Sequence, residues 1–542
     1  MVDATGKFLI PGLWDMHVHM DAEESLPLYI ANGVTGVRVM FGAARHHQWR
    51  KAIEEGTLLG PRMVIASPIV DGPRPFWSGS ISVANEAQAR QAVTTAKQGG
   101  ADFIKVYSYL PRDLYFDIAD ESKKQGIPFE GHVPNSVSAE EASRAGQKTF
   151  EHLYSILPAC STHSEELLRA QQADLADIIA STRPNFFAMT HVRPLRQMIL
   201  DSYSPEKATA LFALLKNNGT WQCPTLTVLH ALAYGDDPVL INDPRLKYEG
   251  QGVQLGWRVL LGMWPPKARA YLKQEFQKDL EIVGAMRRSG VPILAGTDES
   301  NPYCLPGFGL HDELGFLVQA GLSPLEALQA ATLNPARLLG KEKDFGTVET
   351  GKVGDLILLD ANPLDDIGNA NRISAVIYGG RLYSRSALDE MLTNAEKLAS
   401  QSSVAASAMI WLVERPIVMH ALSWVLINQY TVFQVYVPIG FALLLLAYVY
   451  VALALMALAR KTSTAHAWWA WIPILNIVLM LRIARRPVWW IVLLLIPVVN
   501  IVIAALIWMG IAQNRQKSGW WGVVAIVPVV NLVVPGYLAW SV

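Results

Sequence analysis

The residues best suited to chemistry in this sequence are four histidines, a lysine and an aspartate, each near the end of a short apolar segment. The segments are FLIPGLWDMHVH, ADFIKVY, IPFEGHV, KTFEHL and VPILAGTD. Imidazole nitrogens and carboxylate oxygens are ligands that zinc and similar ions take from proteins. Together these residues can hold two metal ions, which indicates a metal-dependent enzyme. The candidate ligands are His17, His19, Lys105, His132, His152 and Asp298.

The spacing of the first two histidines supports a shared ion. His17 and His19 are separated by one residue, so on a strand both side chains point to the same face. Adjacent residues such as His46 and His47 diverge on a strand, and these two also begin a polar helical stretch. We therefore interpret His46 and His47 as surface residues.

Lys105 is the unusual member of the set, because an ammonium group repels divalent cations. Two interpretations are open for it. One is a structural lysine whose head group reaches water, and the other is a carbamate, formed with CO2, whose two oxygens bridge the ions. The company of four histidines and an aspartate favours the carbamate.

The elements that must position these residues alternate between short apolar runs and helical patterns from about residue 26 to 340. Examples are GVTGVRVM, HQWRKAIEEG, RMVIASPIV and ANEAQARQAVTTAKQGG. This rhythm is typical of a parallel sheet. About eight units are present if the stretch from 160 to 285 holds one unit plus an insertion. The sequence therefore predicts an α/β fold, a (β/α)8 TIM-type barrel with its chemistry at the carboxyl ends of the strands.

A smaller β region follows the barrel. Residues 345–383 contain short strands separated by glycine turns, which predicts a small β-sandwich appendage. Its partner strands are expected upstream of Met1, so that part of the sandwich would be missing. The predicted domains are the barrel over 1–342, the sandwich remnant with a closing helix over 343–400, and a third region over 401–542.

The third region differs in composition from the rest of the chain. Residues 401–542 hold eight basic side chains, a single acidic one, Glu414, and 11 of the 17 tryptophans. Because the basic residues lie in short clusters between apolar blocks, the pattern favours a lipid bilayer as partner and no nucleic acid. The stretches 436–458, 488–512 and 519–540 are each long enough to cross a bilayer of ~30 Å. They predict an all-α transmembrane bundle and a multi-pass membrane protein.

The basic residues also predict the orientation in the membrane. If the short block 467–481 does not cross, Arg460, Lys461 and the arginines from 482 to 486 lie on one side, which the positive-inside rule makes cytoplasmic. The barrel would then be extracytoplasmic and would need an export signal. No such signal follows Met1, so we expect one upstream of this chain.

Several strings of the sequence carry a family resemblance. They are DATGKFLIPGLWDMHVHM, ADFIKVY, FEHL, AGTD, HDELGFLVQAGLSPLEALQAATLNPARLLG and GTVETGKVGDLILLD. Over about residues 1–385 the chain resembles the amidohydrolase superfamily, and most of all its imidazolonepropionase-like branch with a carboxylated lysine. The tail resembles, more weakly, small multi-helix membrane modules of unassigned function.

The resemblance implies a binuclear site and its chemistry. The expected metal is Zn²⁺, with Mn²⁺ or Co²⁺ as alternatives because the same ligands serve all three. The ions would activate water and polarise a scissile carbonyl, while Asp298, as the catalytic residue, would carry the proton to the leaving amine. In the implied ligand set, His17, His19 and Asp298 hold the more buried ion, His132 and His152 hold the more exposed one, and Lys105 bridges them.

A further histidine has two interpretations. His311, in the string GFGLHDELG, follows the eighth predicted strand and is a candidate substrate contact. Capping or packing at the start of a helix is the alternative.

The sequence leaves two classes of function open. The first is a membrane-anchored, metal-dependent hydrolase that cleaves an amide-type carbon–nitrogen bond in a small molecule, such as a dipeptide or an N-acyl amino acid. The second is a catalytically inert ligand-binding or scaffold barrel that serves the membrane module. The complete set of six candidate ligands favours the enzyme. A homo-oligomer is compatible with either function, and the sequence does not decide the oligomeric state.

Overall fold

The chain forms two compact units, one within Met1–Ser423 and the other within Trp424–Val542. The structure is a computed structural model. It describes residues 4–181, 193–262, 264–401, 437–495, 499–525 and 530–541.

Seven parallel strands and one irregular segment form the α/β barrel of the first unit. Parallel pairing joins β2 to β3 and β3 to β4, and it also joins β7, β8, β9 and β10 in that order. A parallel bridge between Ala66 and Phe103 connects these two groups. In chain order, the strands among the described residues of the first unit are β1 (Phe8–Pro11), β2 (Leu13–Val18), β3 (Val34–Val39), β4 (Arg62–Ile65), β5 (Val70–Asp71), β6 (Ile81–Ser82), β7 (Ile104–Val106), β8 (Phe129–Gly131), β9 (Thr149–Glu151), β10 (Trp221–Cys223), β11 (Leu356–Leu359), β12 (Ile373–Tyr378) and β13 (Arg381–Ser384).

The segment 291–299 takes the eighth place in the barrel wall. On one side Ile293 bridges Gln222 in β10, and on the other Glu299 bridges Val18 in β2. Met16 N–H also donates to the Ala295 carbonyl at 2.9 Å. These contacts close the ring of strands, so the predicted barrel fold is present.

The apolar strands are buried on both faces, which explains why they read as continuous hydrophobic runs. All six residues of β2 and all six of β3 are buried. The inward faces enclose the barrel interior, and the outward faces pack against the surrounding helices. A charged residue inside such a strand therefore has to find its partner within the barrel.

Helices surround the barrel, and several begin and end with local signals. Ser138 and Glu141 form a capping box at the start of Ala139–Ala145, which ends at Gly146 with φ of 91°. In the described part of this unit, short 3-10 helices cover Glu23–Ser25, Pro244–Tyr248 and Ile367–Asn371. The α-helices of this unit are Leu26–Ala31, Ala44–Glu54, Glu86–Gln98, Arg112–Gln125, Ala139–Ala145, Ile156–Ala159, Ser164–Ala180, Arg193–Asp201, Pro205–Asn218, Leu226–Tyr234, Pro238–Ile241, Gln251–Gly262, Pro266–Ser289, Phe308–Gln319, Pro324–Ala330, Leu333–Leu338 and Arg385–Gln401.

The small appendage is a four-stranded antiparallel sheet in the order β1, β11, β12 and β13. Its edge strand β1 pairs with β11 from Phe8 opposite Leu359 to Pro11 opposite Leu356. The expectation that the partner strands lie upstream of Met1 is therefore wrong for the strand beside β11. The run FLIPGLWDMHVH is divided at Gly12, with its first part in this sheet and its second part in the barrel.

The small sheet packs directly on the barrel. Ile357 is fully buried and packs closely on Gly33. A Cβ atom added to Gly33 would lie only 2.6 Å from Ile357 Cδ1. Tyr378 donates a hydrogen bond to the Gly60 carbonyl at 2.7 Å, and Arg62 forms an ion pair with Asp355 at 2.7 Å. These contacts fix the sheet against the amino ends of the barrel strands.

The second unit is helical and has its own core. Leu455, Leu458, Leu479, Ile507 and Leu538 are buried together there. Its helices are Val437–Lys461, Leu475–Ile483, Val499–Asn514, Trp520–Val524 and Val530–Trp540, with 3-10 segments at Ala467–Trp471 and Val488–Leu495.

The predicted multi-pass membrane placement is wrong. Across the described ranges of the chain, no helix is long and apolar enough to cross a membrane. The longest described helix in 488–512 is Val499–Asn514, with 16 residues, and in 519–540 it is Val530–Trp540, with 11. A spanning helix needs about 20. The transmembrane bundle and the bilayer partner lose their support, and the extracytoplasmic placement of the barrel loses the spans on which it rested. The span predicted to begin at 436 starts outside the described residues.

We expect Ile357→Ala to lower the free energy of unfolding of the first unit by about 2–5 kcal/mol, because it leaves a cavity between sheet and barrel. Denaturant unfolding followed by tryptophan fluorescence measures this. Leu382→Ala is the matched control, since Leu382 in β13 is 48% exposed and should change stability by about 0.5 kcal/mol or less. Equal, small effects of the two variants would show that the sheet does not contribute to the stability of the barrel.

Candidate metal centre

All six candidate ligands lie at the carboxyl ends of barrel strands. His17 is in β2 and His19 follows it, Lys105 is in β7, and Asp298 is in the segment 291–299. His132 and His152 directly follow β8 and β9. This is the end of a parallel barrel at which enzymes carry their active sites.

Asp298 lies at the centre of the cluster. Its Oδ1 atom is 2.9 Å from His19 Nε2 and 3.2 Å from His17 Nε2, and its Oδ2 atom is 3.8 Å from His152 Nδ1. Ligand atoms of His17, His152 and Asp298 all lie within 4.8 Å of one another. Burial raises the pKa of Asp298, but His152 and His17 outweigh it and hold the pKa well below its usual range. A buried carboxylate among imidazoles is a suitable arrangement for a divalent cation.

The backbone at the site is unusual in three places. Asp298, His152 and Thr225 have φ of 63°, 64° and 51°, in a region that residues other than glycine rarely adopt. Each such residue costs roughly 1–3 kcal/mol. At Asp298 the backbone N–H donates to the His17 carbonyl at 2.8 Å, which turns the carboxylate toward the histidines.

Each of three histidines is oriented by a partner at its Nδ1 atom. His132 Nδ1 lies 2.8 Å from Ser108 Oγ, and His152 Nδ1 lies 2.7 Å from Thr225 Oγ1. His17 Nδ1 donates to Glu151 at 2.8 Å. Such partners fix the ring and leave Nε2 for a metal. Burial also lowers the pKa of His152 to about 3, and it lowers that of His132 well below its usual range. Both rings are therefore neutral, as a metal ligand must be.

Lys105 tests whether a carbamate fits this site. The side chain is fully buried, and its Nζ atom has no hydrogen-bond partner among the described residues. Burial lowers its pKa to about 8. An unpaired buried ammonium is costly, and a neutral amine is the form that combines with CO2. A Cβ atom on Gly131 would lie 2.9 Å from Lys105 Cδ, so this glycine keeps space for the lysine. These features fit a carbamate.

An alternative cluster of ligand types does not fit a metal as well. His17, Glu151 and Cys223 also lie close together. Burial raises the pKa of the Cys223 thiol far above its usual range, so the thiolate that binds metals is disfavoured. Cys160, Cys223 and Cys304 are all free and buried.

Four polar residues in the barrel interior were not selected from the sequence as functional. The fully buried Arg38 in β3 contacts Glu130 in β8 and both Thr149 and Glu151 in β9. Burial raises the pKa of Glu151. The charge of Arg38 and then the hydrogen bond from His17 lower the pKa by more, so that it lies far below its usual range. The sequence does contain a signal for Arg38, Glu130 and Glu151, because each is a charged residue inside an apolar run.

Asp15 is a further residue that supports the site. Its Oδ1 atom accepts hydrogen bonds from the backbone N–H groups of His17 and Thr297, at 3.2 and 3.1 Å, and its Oδ2 atom accepts one from Thr297 Oγ1 at 2.7 Å. Asp15 thus connects β2 to the segment that carries Asp298. Burial raises its pKa to about 7.

Aromatic rings adjoin the histidines on the solvent side. Tyr107 stacks on His132 with 4.1 Å between ring centroids, and Tyr154 lies 5.1 Å from His152. Trp77 donates a hydrogen bond from Nε1 to the Tyr107 hydroxyl at 2.7 Å. Trp77 is 46% exposed and Tyr154 is 52% exposed, so both rings are accessible from the mouth of the site.

Two other histidines are buried. The interpretation of His46 as a surface residue is wrong, because it is fully buried and lies 3.1 Å from the Met20 carbonyl through Nε2. His311 is also buried, and its Nε2 atom donates to the Asn32 carbonyl at 2.9 Å. That contact belongs to packing, and a role for His311 in substrate binding stays a prediction.

A parallel barrel with imidazoles and a carboxylate at the carboxyl ends of its strands has the architecture of a metal-dependent barrel enzyme. The chain matches the amidohydrolase family over residues 8–383, which is most of its length, and it belongs to that family. Residues 468–514 match a family of unknown function.

Individual proteins resemble this chain at low sequence identity. The ochratoxinase of Aspergillus niger is 25% identical over 431 residues, which cover 69% of this chain and 75% of that protein. The imidazolonepropionase of Shouchella clausii is 32% identical over 106 residues, 18% of this chain and 23% of that protein. A solved bottromycin amidohydrolase matches with a TM-score of 0.57 and 21% identity over 73% of this chain and 81% of its own. At that identity the structural likeness shows the fold alone.

We expect Thr225→Val to weaken metal binding about 10- to 100-fold, because it removes the hydroxyl that orients His152. Chelator competition with the purified protein measures the affinity. Ser122→Ala is the control, since Ser122 lies on the helix Arg112–Gln125 and its buried hydroxyl has no hydrogen-bond partner among the described residues. Unchanged affinity in Thr225→Val would mean that His152 does not bind the ion.

Proposed function

We propose that the protein is a hydrolase that uses two divalent ions, Zn²⁺ in the first instance, to cleave an amide-type carbon–nitrogen bond. A dipeptide or an N-acyl amino acid is the expected kind of substrate. One observation carries the proposal: neutral imidazoles, an ionised Asp298 and a buried Lys105 amine converge at one end of the barrel, and that amine has no hydrogen-bond partner among the described residues.

In this proposal the ligands are divided between two ions. Lys105, as a carbamate, would supply oxygen ligands to both. The closeness of His152 to both His17 and Asp298 is compatible with two ions that share one pocket. Mn²⁺ and Co²⁺ suit the same ligands. His17, His19 and Asp298 hold one ion, and His132 and His152 hold the other.

Bound divalent ions supply Lewis acidity, which lowers the pKa of water toward neutrality and polarises an amide carbonyl. Asp298 is the side chain that transfers the proton. Its carboxylate accepts the proton of the attacking water at one oxygen and delivers it to the leaving nitrogen. His19 is 2.9 Å from Asp298 Oδ1 and is 24% exposed at its side chain, so it holds the carboxylate on the side that substrate can reach.

We expect the purified protein to contain about two metal ions per chain by elemental mass spectrometry, and Lys105→Ala to lose most of them. The variant removes the bridging group without altering the histidines. Lys97→Ala is the control, because Lys97 lies on the outer helix Glu86–Gln98. Protein grown with ¹³C-bicarbonate should show a carbamate carbon that is missing from Lys105→Ala.

Hydrolysis of a panel of dipeptides and acyl amino acids tests the reaction itself. Asp298→Asn should lower turnover by about 10²- to 10⁴-fold, the usual contribution of a positioned acid or base. A folded protein that binds no metal would overturn the proposal and favour a non-catalytic barrel.

The aromatic rings at the mouth lead to a prediction about substrate choice. Trp77→Ala should raise KM roughly two- to tenfold for acyl amino acids with an aromatic group, which matches the energy of one aromatic pair. Substrates with small aliphatic groups should be affected less. Trp77→Phe keeps a ring but loses the N–H group that holds Tyr107, and it should retain most of the preference. An equal rise in KM for both substrate types in Trp77→Ala would show that the ring does not contact substrate.

A further inference from the structure

Arg38 connects four elements inside the barrel. It lies in β3 and is fully buried, and its Nε atom donates to the Met16 carbonyl in β2 at 2.7 Å. One terminal nitrogen donates to Glu130 and to Thr149 Oγ1, the latter at 3.0 Å. The other donates to both oxygens of Glu151, at 2.9 and 3.1 Å. Every nitrogen of the guanidinium therefore has a partner.

Stability alone is a weak explanation for this arrangement. Burying ions costs several kcal/mol each, and well-packed apolar residues of similar volume often stabilise a protein as much or more. A guanidinium and two carboxylates in the barrel interior point instead to a role in placing another group. The group within reach is the metal-ligand candidate His17.

Glu151 joins Arg38 to His17. Its Oε2 atom accepts hydrogen bonds from both Arg38 and His17 Nδ1, the latter at 2.8 Å. Its Oε1 atom accepts from Arg38 and from Thr149. The carboxylate thus has its position fixed by three side chains. It holds the proton of His17 on Nδ1 and leaves Nε2 for the ion, 3.2 Å from Asp298 Oδ1.

His17 differs in this respect from the other two oriented histidines. His132 and His152 have neutral hydroxyl partners, Ser108 and Thr225. A carboxylate partner makes an imidazole a stronger metal ligand than a hydroxyl does. That advantage requires the Glu151 carboxylate to stay on His17 and out of the metal site itself, and the hydrogen bonds from Arg38 to both of its oxygens fix it there.

We propose that Arg38 is a positioning residue that acts through Glu151 on His17, so that one of the two ions is held much more tightly than His17 alone would hold it. This inference rests on the proposed function. Without Arg38, Glu130 and Glu151 face each other in the interior with no guanidinium between them, and Glu151 can turn away from His17.

The test is metal binding by four variants, measured as metal content and as the rate of release to a chelator. Glu151→Gln keeps the shape of the side chain and removes its charge. Arg38→Met removes the guanidinium, while Arg38→Lys keeps the charge without the planar fork. Glu130→Gln is the matched control, since the Glu130 side chain accepts a hydrogen bond from the same guanidinium and has no hydrogen bond to a candidate ligand among the described residues. Circular dichroism checks that each variant is folded.

We expect Glu151→Gln and Arg38→Met to bind one ion about 10- to 100-fold more weakly and to keep the second close to wild-type affinity. Arg38→Lys should restore part of the loss, and Glu130→Gln should keep both ions within about threefold. If Arg38→Met fails to fold, Glu151→Gln alone decides the outcome, because its shape is unchanged.

Three results would overturn the positioning role, and they are distinguishable from one another. A wild-type protein with two ions, together with folded variants that bind both as tightly, would reject the role of Arg38 and leave the proposed function intact. A weakening in Glu130→Gln as large as in Glu151→Gln would also reject it, because the effect would then come from general disturbance of the interior. A wild-type protein without metal would reject the proposed function and this role together.

Discussion

The rest of the structure depends on one constraint, the closure of the ring of strands where the segment 291–299 meets β2. The segment 291–299 is not a regular strand, and it is held between β10 and β2 by a few backbone bonds and by Asp15. The same bonds close the ring of strands and bring Asp298 to His17 across a long stretch of chain. Closure of the fold and assembly of the candidate site are therefore one event, and this explains why strained φ values are tolerated at Asp298 and His152.

Burial sets the chemical state of the site. Desolvation favours the neutral forms of histidine and lysine, and it acts here on His132, His152 and Lys105. It would also neutralise Asp298, but the surrounding imidazoles reverse the effect. The result is two neutral imidazoles, His132 and His152, beside one ionised carboxylate, with a lysine that loses its proton more readily than usual. Folding therefore already desolvates these candidate ligands before any ion binds.

Sequence reasoning predicted the barrel and gathered the six candidate ligands, because buried parallel strands have a strong apolar signal and the ligands follow them directly. It failed where the signal depends on tertiary partners. The run FLIPGLWDMHVH looked like one strand, yet only the partner β11 makes its first part a strand of another sheet. In the second unit, the length of the apolar stretches alone led to the prediction of membrane spans. Leu455, Leu479 and Leu538 are buried together in the core of that unit, and apolar composition alone does not distinguish a core position from a lipid-facing one.

The missed interior charges follow a logic that the sequence contains only in part. Arg38 lies in VTGVRV, Glu130 in FEG and Glu151 in TFE, each within a buried strand. Strand alternation predicts the face to which each side chain points, and a buried charge requires an opposite charge nearby. Those two rules predict that the three charges meet inside the barrel. Which carboxylate also contacts a histidine depends on the stagger of β2 against β9 across the interior, and strand pairing between sequence neighbours does not determine that stagger. The identity of Glu151 as the partner of His17 is therefore information that only the closed barrel supplies.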